Sequence, residues 1–192
     1  MLPPLTVFDV ETTGLDPRRG HRIIEIAAVH VAGGVIEAEN AFHAFVDPER
    51  EIPPEAKQIH KISASVLKNA PTIDQVLPRF LAFAGGSPIV AHNCEFDRSF
   101  LACEKEHCWG YVDLPECLCT MLLSRRLFPH EFRHSLDVVA LRLGLTLPPE
   151  RHRSLPDVLL TAQSLLKMIE KGNIHSLDEL RILAALRQFT AK

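Results

Sequence analysis

Leu5-Thr6-Val7-Phe8-Asp9-Val10-Glu11 reads as a β-strand, since apolar and β-branched residues dominate it, yet it carries two acids. Thr12-Thr13-Gly14-Leu15-Asp16-Pro17 breaks the run. Residues i and i+2 of a strand point to one face, so Asp9 and Glu11 project side by side, while Phe8 and Val10 pack into the opposite layer. Two like charges this close repel, and each raises the other's pKa unless a cation lies between them. For this pair alone, a solvated face of an edge strand is an equally good reading.

Outward from that strand, Arg22 to Val31 gives a second strand, Gly33-Gly34 a hairpin, and Val35 to Val46 a third. Pro48, Pro53 and Pro54 mark a loop, with short helical pieces near 55–60 and 64–69, the latter with Ser63 as N-cap. Apolar residues at 73, 76, 77, 80, 81 and 84 follow helical spacing and stop at Gly85-Gly86. A buried strand, Pro88 to Ala91, precedes a helix over 94–107. Helices follow near 120–128, 135–143, 154–171 and 177–189, and Ser154-Leu155-Pro156-Asp157 matches a capping box. Three antiparallel leading strands followed by alternating helix and strand make an α/β domain. It is expected to span 1–192 as one unit, with a core over about 5–170 and a C-terminal helix near 177–189.

The 192 residues hold 21 Lys+Arg against 24 Asp+Glu, a formal charge of -3. A chain-wide cationic surface, the simplest footprint of a nucleic-acid coat, is thereby excluded. With 46% hydrophobic and 23% charged residues, the composition is that of a globular protein. No apolar run approaches the roughly 20 residues a membrane span needs, and no signal-like segment leads the chain, so a cytoplasmic location is expected. The five cysteines cluster at 94, 103, 108, 117 and 119. Cys103-x4-Cys108-x8-Cys117-x-Cys119 with His107 invites zinc, but only its first pair has knuckle spacing, so buried or surface thiols are the expectation.

Asp97 lies just past the buried strand, where α/β sheets place ligands, although an acid in a first helical turn capped by Asn93 explains it equally. His152 and Asp157 bracket the start of the longest helix. Taken jointly, Phe8-Asp9-Val10-Glu11-Thr12-Thr13-Gly14, His92-Asn93-x-x-Phe96-Asp97 and His152-x4-Asp157 resemble the three exonuclease motifs of the DEDD superfamily, histidine variant. The chain is similar to the epsilon-type proofreading subunits of bacterial DNA polymerase III and to free-standing relatives. Ile59-His60-x-Ile62-Ser63 and Ser135-Leu136-Asp137 add minor matches. Departures are Lys61 where relatives often have glycine, Cys119 for an aspartate, and Val158 for alanine.

The resemblance implies a ribonuclease H-like mixed sheet flanked by helices and a metal-dependent 3′-to-5′ exonuclease. Its substrates would be single-stranded or frayed 3′ ends and its products nucleoside monophosphates. DNA is the leading substrate, with RNA as the alternative and a catalytically idle binding or interaction module as the remoter one. It implies Asp9, Glu11, Asp97 and Asp157 as ligands of two divalent ions, Mg²⁺ or Mn²⁺, and His152 as general base. Thr12, Thr13 and Leu15 would hold the 3′ end, with His60, Asn93 and Phe96 lining the path of the strand. The chemistry agrees: hard ions want carboxylate oxygens, two such ions balance four acids, and imidazole titrates near neutrality. Setting aside the four acids leaves 20 against 21 basic residues. Basic groups at Arg18 to Arg22, Lys57 to Lys61, Arg125-Arg126, His130 to His134 and Arg151 to Arg153 are then candidate phosphate contacts or solvated loop charges. A polymerase partner is a further expectation, although Gln188-Phe189-Thr190-Ala191-Lys192 fits a clamp-binding peptide poorly.

Overall fold

A computed structural model describes residues 2–108 and 112–186. The opening run forms β1 (Leu5–Thr12), at the heart of a six-stranded sheet. Beside it lies β2 (Ile23–Ala32), antiparallel, with Asp9 opposite Ala27 and Glu11 opposite Glu25. On its other side β5 (Ile89–Ala91) runs parallel to β1, and β6 (Cys117–Cys119) runs parallel to β5.

The expected third strand, 35–46, is instead two short pieces, β3 (Val35–Ile36) and β4 (Phe42–Phe45), both paired with β2. A 3-10 turn over Ala38–Asn40 separates them, in the polar stretch Glu37-Ala38-Glu39-Asn40. The hairpin expected at Gly33-Gly34 forms, and both glycines have positive φ (58° and 82°), the backbone that a tight two-residue turn of this hand requires. β6 was not expected, because three residues carry too little pattern to register beside the helix that follows them.

The helices are α1 (Pro54–His60), α2 (Ala64–Leu67), α3 (Ile73–Ala84), α4 (Cys94–Glu104), α5 (Thr120–Leu127), α6 (Leu136–Arg142), α7 (Ser154–Lys171) and α8 (Leu177–Ala184). α4 ends three residues before the expected 107 and passes into a 3-10 turn over Lys105–Cys108. The tail of the expected last helix, with the Gln188 segment, lies outside the described residues. None of the described helices is long and apolar enough to cross a membrane.

Alternation along β1 sorts the core into two layers. Phe8 and Val10 pack with Val76, Leu77 and Phe80 of α3 and Phe100 and Leu101 of α4. Leu5 and Val7 pack on the other face with Val158, Ala162, Leu165 and Met168 of α7. Asp9 and Glu11 continue the second face, so β1 aims both acids at the layer that contains α7. Phe96 contributes to both regions, packing 5.0 Å from Phe100 while it lines the cleft described below.

Two other local readings change. Cys94, opening α4, and Cys117, opening β6, are joined by a disulfide, because β5 delivers one beside the edge strand that carries the other. Cys103, Cys108 and Cys119 are free thiols, the last two buried. Ser63 and Asn93 occupy N-cap positions but make no capping hydrogen bond through their side chains. The Ser63 hydroxyl turns to Ser65 at 2.6 Å, and Asn93 sits in the left-handed region at φ 65°. Lys61 likewise closes α1 at φ 59°, the conformation that favours the glycine common in relatives.

One buried ion pair locks α4 to the sheet. Glu104, 2% exposed, accepts from Arg22 Nε at 2.9 and 3.0 Å and from the Ile23 N–H at 2.9 Å. Glu104→Ala leaves a buried N–H without a partner and the guanidinium with only the Glu49 carboxylate at 3.9 Å, and the expected loss is about 3 kcal/mol of unfolding free energy, read by urea denaturation. A loss within error would mean that water replaces the carboxylate there.

Candidate active site

Asp9 and Glu11, half-buried, stand on the α7 side of β1, and Asp157, buried, comes from the first turn of α7. One carboxylate oxygen from each lies within 4.8 Å of the others. Asp97, 2% exposed, approaches from the opposite layer, where α4 packs, and its Oδ1 accepts from the Val10 N–H at 3.3 Å. That hydrogen bond holds it against β1 beside the trio, though its oxygens fall outside the 4.8 Å group. Four acids from three elements thus converge at the C-terminal end of β1.

Burial, then Asp97, Glu11 and Glu25, push the Asp9 carboxyl well above the ordinary range, against the one opposing pull of Arg151. Burial and Glu25 raise Glu11 to about 8, and burial raises Asp97 to about 7. Such a cluster is short of positive charge. Hard oxygen donors grouped this closely fit a hard divalent cation and not a thiophilic one.

His152 is exposed, at φ 62°, and its N–H donates to Asp157 Oδ2 at 3.3 Å. It stands on the loop leading into α7, five residues from the last acid. A cleft of about 450 Å³ opens beside the acids, lined by Glu11, Thr12, Thr13, Leu15, His60 and Phe96 among others. Thr12 donates to the Gly14 carbonyl at 2.6 Å, while Thr13 Oγ1 accepts from the Arg22 N–H at 3.0 Å and contacts His21 Nδ1. A Cβ on Gly14 would overlap the His21 ring, so only glycine lets this turn close. Leu15, 81% exposed, projects from the turn. His60 is buried and accepts the Ile62 N–H on Nδ1 at 2.9 Å, so in its neutral form the proton sits on Nε2, which has no partner. Burial lowers its pKa, which keeps the ring neutral. Asn93 is exposed and is not among the residues lining the cleft.

Sequence reasoning missed the ring of groups behind these acids. Glu25 reads as one acid within a strand, and nothing local says that it binds a segment 128 positions away. Arg22, Arg151 and Arg153, candidates for phosphate contact, are engaged internally: Arg22 with Glu104, Arg151 with Asp137 and Asp157, and Arg153 with Glu25. The capping box at Ser154 does not form, since Arg153 is the N-cap residue and Ser154 Oγ has no hydrogen-bond partner. Asp157 turns toward the other acids instead.

The exonuclease family model (RNase_T) matches residues 6–165. The chain belongs to the exonuclease family. DNA polymerase III subunit epsilon of Rickettsia typhi is 36% identical over 182 residues, covering 87% of this chain and 79% of that protein. An epsilon-like protein of Rhodobacter capsulatus is 41% identical over 164 residues, 85% of this chain; the match spans only 23% of that longer relative. Among solved structures, exonuclease X in complex with 5′ overhanging duplex DNA superposes with a TM-score of 0.77 at 31% identity, over 93% of this chain and 98% of the other. The nuclease domain of a DEDDh 3′-exonuclease bound to rAMP matches at TM-score 0.75 and 19% identity, over 88% and 92% of the two chains, a likeness of fold alone. The sheet and its helices are those of ribonuclease H-like exonucleases.

The raised carboxyl groups give the chelated protein a characteristic pH response. Folded Asp97 and Glu11 titrate near 7 and 8, whereas unfolded carboxyls titrate near roughly 4, so between those values the folded state binds more protons. Stability therefore falls as pH rises through that window. In excess EDTA, Tm should drop from about pH 5 to about pH 8, and added Mg²⁺ or Mn²⁺ should abolish the drop by replacing the protons. A chelated chain whose Tm climbs over this range would contradict the clustering.

Proposed function

We propose that this chain is a two-metal 3′-to-5′ exonuclease that removes nucleoside monophosphates from single-stranded or frayed DNA ends. The observation that carries the reading is the convergence of Asp9, Glu11 and Asp157 within 4.8 Å, with Asp97 held against the same strand and His152 on the adjoining loop. Asp9, Glu11, Asp97 and Asp157 would hold two Mg²⁺ or Mn²⁺ ions. When bound, such ions neutralise charge on the attacked phosphate and lower the barrier to water attack. His152, exposed on the loop beside the acids, takes the proton from the attacking water.

The remaining residues place the 3′ end. Thr12 and Thr13 fix the turn after β1, and Leu15 offers an apolar face to the terminal base or sugar. His60 presents its unpartnered Nε2–H to the cleft, where a sugar hydroxyl or phosphate oxygen would accept it. Phe96 lines the same cleft and would stack near the last bases, and Asn93, exposed and outside the cleft, would contact the strand beyond it. The DNA preference rests on the relatives above 30% identity, a polymerase subunit and a nuclease bound to DNA. A polymerase partner and a cytoplasmic location belong to the same proposal, as does a single domain over 1–192.

Asp9→Ala and Asp157→Ala should each abolish release of monophosphates from a 3′-labelled oligonucleotide while circular dichroism stays native. Activity at the wild-type level in either variant, or in excess chelator, would overturn the mechanism. His152→Ala should lower kcat by about 10²-fold or more, measured at saturating substrate. Matched single-stranded DNA and RNA oligonucleotides decide the substrate: faster digestion of DNA is expected, and a preference for RNA would reassign the enzyme to RNA processing.

A further inference from the structure

The exonuclease reading leaves Glu25 unused, although it is 1% exposed and faces Glu11 directly across β1 and β2. Like charges opposed on neighbouring strands destabilise a sheet, so a second acid here needs a reason. Its four hydrogen bonds supply one. Oε1 accepts from His43 Nε2 at 2.7 Å and from Arg153 at 2.8 Å. Oε2 accepts from Arg153 Nε at 3.2 Å and from the Ser154 N–H at 3.1 Å. Each oxygen carries two donors, so neither has a lone pair free for a metal ion, and Glu25 is not a fifth ligand.

Three of the four donors share a place in the chain. Arg153 and Ser154 sit between His152 and Asp157, at the entry to α7. Ser154 is the first residue of that helix, its own hydroxyl makes no hydrogen bond, and no side chain of the helix caps the end. Glu25 therefore does from the neighbouring strand what an N-cap does locally, satisfying a first-turn N–H and placing negative charge at the positive end of the helix dipole. The Arg153 guanidinium also lies 5.5 Å from the centre of the Phe45 ring on β4, which, like Glu25, belongs to the sheet.

Resting on the exonuclease reading, we infer that Glu25 is a positioning residue that bolts the His152–Asp157 segment to β2 through Arg153 and the Ser154 N–H, setting the general base and the last acid against Asp9 and Glu11. The bolt acts on kcat. Substrate would be held by the turn after β1 and the wall around His60, to which Glu25 makes no hydrogen bond. A displacement of about an ångström at a reacting group is enough to lower a rate by 10–100-fold.

Glu25→Gln keeps the size of the side chain but loses its charge, and Arg153→Ala removes the other half of the bolt at a half-exposed position. Both full-length variants are compared with wild type for kcat and KM on the same oligonucleotide, and for hydrogen–deuterium exchange of peptides covering 151–158 without substrate. The expected result is a kcat lower by about 10–100-fold with KM changed less than threefold, together with faster exchange confined to that segment. Millimolar guanidinium should restore part of the kcat of Arg153→Ala, because the ion can fill the vacated site against Glu25, and none of that of Glu25→Gln. Wild-type kcat and unchanged exchange in both variants would overturn the inference, as would a loss carried by KM alone. A wild-type chain inert on every 3′ end would instead overturn the exonuclease reading, and the exchange experiment would still decide whether the bolt exists.

Discussion

Repulsion among carboxylates at the C-terminal end of β1 is the constraint to which the surrounding structure answers. Period-two alternation aims Asp9 and Glu11 at one layer, and the packing of α4 and α7 on opposite faces then brings Asp97 and Asp157 to the same strand end. None of the four has a full counter-charge within the protein. Arg151 reaches in, ion-pairing with Asp157 while it also holds Asp137 at the start of α6, and the charge of Arg153 also favours the ionised form of Glu11. Burial first, and for Asp9 and Glu11 also the neighbouring acids, raise the carboxyls of Asp9, Glu11 and Asp97 well above the usual range. A fold that gathers negative charge and withholds the compensation is organised around a ligand of opposite sign.

Glu25 shows the contrasting solution a few ångströms away. Burial works to raise its pKa, but hydrogen bonds from His43, Arg153 and Ser154 outweigh it and hold the carboxyl at about 2. Two buried acids on paired strands therefore behave oppositely: one is left short of donors, the other is saturated with them. The internal use of Arg22, Arg151 and Arg153 also changes the meaning of the charge balance. The near-equality of 20 acids and 21 bases outside the four assigned carboxylates does not describe a free cationic surface, because these three arginines are spent on the scaffold.

Much of the site was legible because its signals are local. Asp9 and Glu11 stand two apart in a strand, Asp97 follows a buried strand, and His152 and Asp157 flank a helix start; each has an ordinary local explanation, and the resemblance of the three motifs taken jointly is what singles them out. The helix over 154–171 was legible for the same reason, its apolar stripe being long and periodic. What escaped were features decided by distant partners. Ile23-Ile24-Glu25-Ile26 looks like a strand with one stray acid, and only the β1–β2 register and the approach of α7 reveal its task. Ser154-x-x-Asp157 looks like a capping box, yet Asp157 pairs with Arg151 and accepts from the His152 N–H instead. The break in the third strand and the existence of β6 were hidden because two- and three-residue strands leave too little pattern to read.

The borrowed cap on α7 has a consequence for how this chain can change. A helix that begins at its own capping residue is placed by the loop that precedes it, whereas α7 is placed by a carboxylate on the sheet. The connection from Gly144 to Glu150 is therefore relieved of aligning Asp157. It is free to lengthen, shorten or acquire new surface chemistry at small entropic cost, provided Arg151 to Ser154 still reach their partners. Diversity in such a connection would accumulate while the clustered carboxylates stay where the sheet holds them.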